Sequence, residues 1–567
     1  MFLPAASAGA QERQTFVPPR PNFTADRQLE VLRLELSEGS VSEAALRAEQ
    51  LLAASPDALT DHGGSIRSLR RWVTSLPPED VKKLSEAWEA QFGREAQAAL
   101  RQVIGQTRNA GPEAAEAFYA VYRRYPLSQA GVRARELAAE RVALLGDDQA
   151  AAVLRGDSVQ TPPTFAVLSR PTWFSNRREE GPELRSLPVA DLEHVYIADE
   201  AHVMKLRHGG LPIWLFDATT YYGSPNKPGT PARDLQPALL LDANGVAQVV
   251  VVRQPSADGN RFVLRALRAE DGMPLWDGEG SGRPASALSN PVVAGRYVYA
   301  IVAEDGVSGS RMLAVAVDVV DGREVWRAAL GQVVQEAGGR RRGNPNLEAL
   351  DALWQEPADP AVDGDLLIIN THGGSVMALD RFDGRIEWVS NYDQLDLNKR
   401  GRLEREAHKE ALRRWSAQPA VAGDLVAVAP RDTPAIFGIR RNTGQRLWQS
   451  GDKDAASLVG VVGNVVVVAR EGVYALGGES GEMTWELHPK NKAGGSNRGP
   501  TAVIGDVVVM PLGGTAVHAV QGTDGQEVSP PTGRVIQLSD ILANPEAVKR
   551  LGDAGMLVGL GVPTPKP

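Results

Sequence analysis

The segment ALDRFDGRIEW, Ala378 to Trp388, holds the pair Asp383-Gly384 with a tryptophan four residues beyond the glycine. The apolar run Leu366 to Ile369 precedes it, so the text reads strand, strand, tight turn, strand. Asp-Gly between such runs marks a β-hairpin, because the turn needs residues that accept positive φ. The spacing of Gly384 and Trp388 recurs at Gly272 and Trp276, Gly322 and Trp326, Gly444 and Trp448, and Gly481 and Trp485. Weaker copies flank these, at Gly210 with Trp214 and at Gly525 with Ser529 in the tryptophan place. The steps from one tryptophan to the next are 62, 50, 62, 60 and 37 residues, with 44 more to Ser529. A four-stranded unit takes about 40–45 residues, so the long steps contain insertions rather than extra units.

Each unit begins with a Pro-led stretch and a Gly turn: Pro291 to Gly295, Pro360 to Gly364, Pro419 to Gly423 and Pro500 to Gly505. Proline starts a strand well and forces the residue before it to be extended. A first strand, a strongly apolar second, a third and a tryptophan-bearing fourth make one sheet that cannot bury both of its faces. Neighbouring units can do so, and a ring of them protects sheet edges. The expected fold is mainly β, a β-propeller of four-stranded blades preceded by an all-α domain of helical hairpins. The copies count seven blades, and eight if 164–175 and the segments after Arg534 build another.

The repeat resembles the PQQ-like, or quinoprotein-like, propeller motif Ala-x-Asp-x-x-Thr-Gly-x-x-x-Trp. Ala378 to Trp388 and Ala316 to Trp326 are the best copies and keep the Asp as Asp380 and Asp318; elsewhere Arg268, Arg440, Gly477 or Gln521 replaces it. The resemblance covers about 185–530. The whole chain also resembles exported bacterial proteins that join tetratricopeptide-like helices to such a propeller, related to the propeller subunit of the outer-membrane β-barrel assembly machinery. That resemblance implies protein contacts in the cell envelope and a periplasmic or otherwise exported protein.

The expected division is 1–24 signal remnant and linker, 25–155 tetratricopeptide-like helices, 160–540 propeller and 541–567 tail. Ala8-Gly9-Ala10 has the small-x-small pattern of an export cleavage site, and Pro18, Pro19 and Pro21 read as linker. The face Ala114, Ala117, Phe118, Val121, Tyr122 and Tyr125 runs at helical steps, after Pro112 and before Pro126. Trp72 and Trp88, beside Leu69, Leu76 and Leu84, are expected in that domain's core.

Composition narrows the chemistry. The chain has 567 residues, 57 Gly and 38 Pro, a turn-rich content short of any low-complexity class. A net charge of −9 disfavours a nucleic-acid surface. No apolar run reaches the roughly 18 residues of a membrane span. Cysteine is absent, which removes disulfides, thiolate metal sites and cysteine nucleophiles, and argues against a lipid anchor on Cys. It also removes the Cys-Cys disulfide that alcohol-oxidising quinoproteins place over their quinone.

A quinone–calcium site would need converging oxygens, for which Asp199, Glu200, Glu304 and Asp305 are candidates. His194, His202 and His208 are the densest histidines and lack metal-ligand spacing. The tryptophan–glycine motifs are read as structural. For partner contacts, Gln236, Asn290, Asp359 and Gln418 each precede a proline and form a polar ring at one end of the channel if the blades align. Two insertions, 331–350 with Arg340, Arg341 and Arg342, and the charged 393–415, are the second candidate surface. The expectation is a non-enzymatic scaffold for protein partners, with no cofactor, no metal and no nucleic acid. The alternatives are a PQQ- and calcium-dependent dehydrogenase of alcohols or sugars, and a glycan-binding propeller.

Overall fold

The computed structural model describes residues 13–62, 65–107, 111–157, 166–168, 186–222, 235–257, 261–276, 286–306, 309–336, 353–394, 418–450, 457–469, 472–487, 501–511, 517–531, 534–554 and 556. Among these residues, seven antiparallel sheets follow one another along the chain, with one further pair of parallel strands. Sheet 1 holds Val189–Ala190, His194–Ala198, His202–Arg207 and Pro212–Asp217. Sheet 2 holds Ala238–Leu241, Ala247–Pro255 and Phe262–Arg268. The next two run from Val292 to Glu336 and from Ala361 to Asn391, each with four repeat strands. Sheets 5, 6 and 7 span Ala420–Gln449, Ser457–Leu487 and Ala502–Gln521. Connection through adjacent strands is the meander expected of a propeller blade.

The tryptophan motif explains how sheet packs on sheet. The indole N–H of Trp214, Trp276, Trp326, Trp388, Trp448 and Trp485 donates to the carbonyls of Ala269, Val319, Arg381, Arg441, Gly478 and Gly522, each on the following sheet. The hairpin glycine of that following sheet lies flat on the same ring. Gly272 meets Trp214, Gly322 meets Trp276 and Gly384 meets Trp326, while Gly444, Gly481 and Gly525 meet Trp388, Trp448 and Trp485. The glycine of one copy of the motif thus packs on the tryptophan of the copy before it, not on its own: Gly384 sits on Trp326, and Trp388 receives Gly444. Gly444, at φ +69°, would place a Cβ 2.7 Å from the Trp388 ring, so glycine is required twice, for its φ and for the contact. Gly210 is the exception. It meets the backbone of Ile541 and the side chain of Asn544 instead of an indole. Those residues belong to or border the last two helices, Leu538–Leu542 and Pro545–Asp553, which share a core with Val195, Ile197, Met204 and Leu206 of sheet 1.

The N-terminal domain contains α1 (Phe23–Ser37), α2 (Val41–Ala54), α3 (Leu69–Thr74), α4 (Pro78–Gln106), α5 (Pro112–Arg124), α6 (Gln129–Leu144) and α7 (Asp148–Arg155). Trp72 and Trp88 are buried in its core, as the helical spacing predicts.

Four expectations change. The domain is not all-α, because Leu59–His62 and Ser65–Ser68 form a hairpin that adds to the outer strand of sheet 4. Residues Arg13–Val17, expected as linker, are a strand paired with Gln332–Glu336 of sheet 3. The insertion expected from residue 331 therefore opens as the continuation of a 13-residue strand. The expected tail from 541 is structural, since Ile541, Ala547, Leu551 and Met556 are buried against sheet 1. In each case a short segment without its own repeat signal is fixed by a partner distant in sequence.

Candidate functional site

The most concentrated chemistry lies where the helices meet the hairpin ends of sheets 3 to 5. Ser68 caps α3, accepting from the Arg71 N–H at 3.0 Å, and its hydroxyl donates to Glu387 Oε2 at 3.0 Å. That cap aims Arg70 at sheet 4. Tyr119 and Arg123, one helical turn apart on α5, reach the same spot. Arg70 Nη2 lies 2.6 Å from Glu387 Oε1 and 3.2 Å from Asp380 Oδ2. Arg123 Nη1 lies 2.9 Å from each of these oxygens, and the Tyr119 hydroxyl donates to Asp380. Both carboxylates are 0 % exposed. Asp383, nearer the rim and next to the hairpin glycine Gly384, stands 3.1 Å from Arg123 Nε.

The repeat places these acids. Asp380 is the Asp of the blade motif, and Glu387 precedes Trp388, so its side chain leaves the strand on the face opposite the indole. Their titration differs for physical reasons. Burial works to raise Glu387, but Arg70 and Arg123 overcome it and hold its pKa down to about 2. Asp383 has no such excess of cations; burial and the charge of Asp380 push it up to about 7.

The contact extends to both neighbours. Arg71 pairs with Asp365 of sheet 4 at 3.1 Å and donates to the Asn442 carbonyl of sheet 5. Arg67 Nε donates to the Thr443 carbonyl. On sheet 3, Asp147 caps α7 through Ala150 N–H and also accepts from the Arg296 N–H at 2.7 Å. Its carboxylate fills the space where a side chain on Gly295 would sit, so that glycine admits the helix cap. The arrangement holds one domain on another. Two hydroxyls touch these acids, those of Tyr119 and Ser68; both residues are buried, and that of Ser68 is already engaged as a helix cap, which suits a structural role rather than that of a nucleophile.

The four residues that precede a proline meet one another or the neighbouring inner strand at the other end of the sheets. Asn290 N–H and Nδ2 donate to the two oxygens of Asp359, at 2.7 and 3.1 Å. Gln236 N–H donates to Asn290 Oδ1, and Gln418 Nε2 donates to the Pro360 carbonyl. Each bond crosses from one sheet to the next, so these residues register neighbouring inner strands; Gln418 also faces solvent. Arg340, Arg341, Arg342 and most of 393–415 lie outside the described residues.

The remaining candidates serve local structure. Asp199 holds the turn before His202, accepting from the Ala201 and His202 N–H groups, and stands 3.3 Å from the His202 ring. Glu304 pairs with Arg327 at 2.7 Å, and the side chain of Asp305 lies outside the described residues. His194 stands 3.3 Å from Asp191, and His208 Nε2 is 3.1 Å from the Asp191 carbonyl. His202 is directed at Asp199 and Asp217 instead.

A quinone–calcium centre is implied by the quinoprotein-like repeat, and the described donor set does not fit one. Asp359, the carboxylate among the four residues that precede a proline, has both oxygens engaged by Asn290. Among the described residues no three of His, Asp and Glu are grouped to hold a metal ion. No helix there is long and apolar enough to cross a membrane.

The helix-borne residues Arg70, Tyr119 and Arg123 carry no motif in the sequence. Two neighbouring acids on a blade's outer strands, Asp380 and Glu387, are the signal that a cationic partner was required.

The chain is similar to several known proteins. Residues 260–411 and 393–541 match the family model described as outer membrane protein assembly factor BamB. The outer membrane protein assembly factor BamB of Yersinia pestis is 25% identical over 253 residues, 41% of this chain and 53% of that protein. The chain thus spans about half the length of this curated relative. Among solved structures, BamB from Moraxella catarrhalis is 20% identical and covers 65% of this chain and 90% of its own, at a TM-score of 0.38. The quinohemoprotein alcohol dehydrogenase from Comamonas testosteroni is 13% identical and covers 69% and 73%, at a TM-score of 0.36. Residues 260–541 hold a PQQ-like propeller repeat domain that resembles these assembly factors.

Proposed function

We propose that this chain is a non-enzymatic scaffold that holds protein partners in the bacterial cell envelope, in outer-membrane protein assembly. The observation that carries the reading is the match of residues 260–541 to a family described as an outer membrane protein assembly factor. Two structural features support it. The buried ion network fixes the helical domain, 25–155, to the hairpin end of the propeller, as a platform needs. The cysteine-free chain and the engaged oxygens of Asp359 weigh against a quinone–calcium centre at that carboxylate.

We further read the ring as eight positions. Inner strands neighbour one another from Ala238–Leu241 through Ala502–Ile504, and Ala166–Leu168 lies between Ala502–Ile504 and Val189–Ala190. Ser186 bridges Leu235, joining sheets 1 and 2. The eighth position is then the parallel pair of Ala166–Leu168 with Val535–Gln537, backed by the last two helices instead of two outer strands. That replacement explains why Gly210 faces Ile541 rather than an indole.

In-cell photo-crosslinking tests the function, with the probe placed at Gln418 on one end of the channel or at Arg323 on the other. Crosslinks to outer-membrane assembly proteins are expected. Purified full-length protein that binds quinone with calcium in stoichiometric amount and reduces a dye would overturn the reading. So would crosslinks or array binding confined to glycans.

A further inference from the structure

Between the helices α5 to α7 and sheet 4 lies a cavity of about 450 Å³, walled by Tyr119, Tyr122, Arg135, Leu154, Phe382 and Arg441 among others. Small-molecule sites span roughly 300–1000 Å³, so its volume suits a ligand rather than a stray water. Most charged groups along its wall are matched in pairs. Arg70 has Asp380 and Glu387, Arg441 has Asp363 and Asp365, and Asp157 stands 3.6 Å from Arg155.

Arg135 is different. Among the described residues Arg135 makes no hydrogen bond or ion pair; its Nε is buried, as is the unpartnered Nε of Arg70, while the Arg135 side chain as a whole is half-buried. Its contact is the Tyr122 ring, whose centroid is 5.3 Å from Cζ. A guanidinium nitrogen withdrawn from water with no acceptor is a costly arrangement unless something supplies one. The planar fork of arginine matches carboxylate and phosphate oxygens in pairs, and stacking on a tyrosine fixes its plane. Around it, Tyr119, Tyr122, Leu154 and Phe382 offer apolar and aromatic surface.

We propose that this cavity binds a small organic oxyanion, a carboxylate or phosphate monoester on an aromatic or apolar body, with Arg135 as its principal anchor. Such a ligand would bridge the two domains, since Arg135 and Tyr122 come from the helices and Phe382 from sheet 4. The site does not depend on the scaffold reading, and either can fail without the other.

Isothermal titration of the full-length protein tests it, with phenyl phosphate and benzoate as probes. Inorganic phosphate serves to separate the anion from its body, and benzylamine is the opposite-charge control. Saturable one-to-one binding of phenyl phosphate is expected, tighter than inorganic phosphate and not displaced by benzylamine. Arg135→Gln should weaken it at least about tenfold, the equivalent of 1.4 kcal/mol. Arg133→Gln, on the exposed side of the same helix, should leave it unchanged. Arg135→Lys, which keeps the charge and loses the fork, should bind with intermediate affinity and serves if the Gln variant does not fold. No saturable binding of either organic anion at millimolar concentration, or equal affinity in the Arg135 variants and wild type, overturns the proposal.

Discussion

Replacing Glu387 by glutamine keeps the shape of the interdomain network and removes one of its two fully buried charges. Arg70 and Arg123, 6 % and 4 % exposed, would then share Asp380, with Asp383 at the rim. Removing one partner of a buried ion pair typically costs about 3–5 kcal/mol, because the remaining charge keeps its desolvation penalty. Asp380 already accepts from both arginines, so the lower end applies, about 3 kcal/mol. At 1.4 kcal/mol per decade, the docked state should lose roughly a hundredfold in population relative to the undocked one.

Hydrogen exchange reads this locally. Amides of α5 should lose about two decades of protection, roughly the same factor. Sheet 6, which among the described residues makes no bond to the network, should keep its protection. The pair Arg70→Met with Glu387→Leu should recover much of the loss, since apolar replacement of a whole buried pair is often neutral. A loss below about 1 kcal/mol in Glu387→Gln, the range of exposed pairs, would refute the reasoning. An equal loss in sheet 6 would refute it too, because the network would then hold the whole fold and not this interface.

Four further outcomes follow from the same structure. Asp383, with its pKa raised to about 7, binds a proton in the folded state between about pH 4 and 7 that the unfolded chain releases, so stability should rise as pH falls through that window. Asp383→Asn should flatten that slope in thermal melts. Glu387, held at about 2, works the other way: its contribution is present above about pH 4.5 and is lost as pH falls toward 2, so acid unfolding should steepen there. Gly444→Ala should cost roughly 2–5 kcal/mol in denaturant unfolding, the sum of a left-handed φ and overpacking on Trp388, while Gly423→Ala, at φ +59° with open space around it, should cost only about 1–2. Phe16→Ala should cost about 3–5 kcal/mol, because the ring is buried against Gly331 and Gly373; a loss under about 1 kcal/mol would show that the Arg13–Val17 strand is not anchored there.

What the sequence disclosed was whatever the repeat repeats. The Gly-to-Trp spacing was legible because six of the seven sheets solve the same packing problem, an indole needing a flat neighbour and a carbonyl acceptor. Which ring each glycine meets was not: Gly384 and Trp388 are neighbours in the text, yet Gly384 serves Trp326 of the sheet before. The Pro-led inner strands were legible for the same reason as the spacing. What stayed hidden involves segments that occur once. Arg70 meets Asp380 across 310 positions of chain, and no periodicity encodes such a distance. The strand RQTFV of Arg13–Val17 sits beside three prolines and has little apolar content; its conformation comes from the long outer strand of sheet 3 that it joins. The hairpin Leu59–Ser68 was likewise submerged in helical text on both sides.

These single-copy segments share one physical task. An outer strand exposes a row of unpaired backbone groups, a template for unwanted pairing unless covered. Sheet 3 is covered by Arg13–Val17 and sheet 4 by Ser65–Ser68, both antiparallel additions from the N-terminal region. Among the described residues, sheets 5 and 6 have no added strand, and their outer strands instead expose polar residues: Arg446 and Gln449 in one, Thr484 and Glu486 in the other. The two sheets whose edges are capped carry the helical domain's contacts through Asp380, Glu387 and Arg296, while the uncapped sheet 5 meets it through the carbonyls of Asn442 and Thr443. At sheet 4, edge protection and domain docking are one construction. A variant that loosens Ser65–Ser68 from sheet 4 should weaken the Arg70 network as well, because Ser68 ends the added strand, caps α3 and bonds Glu387 at the same time.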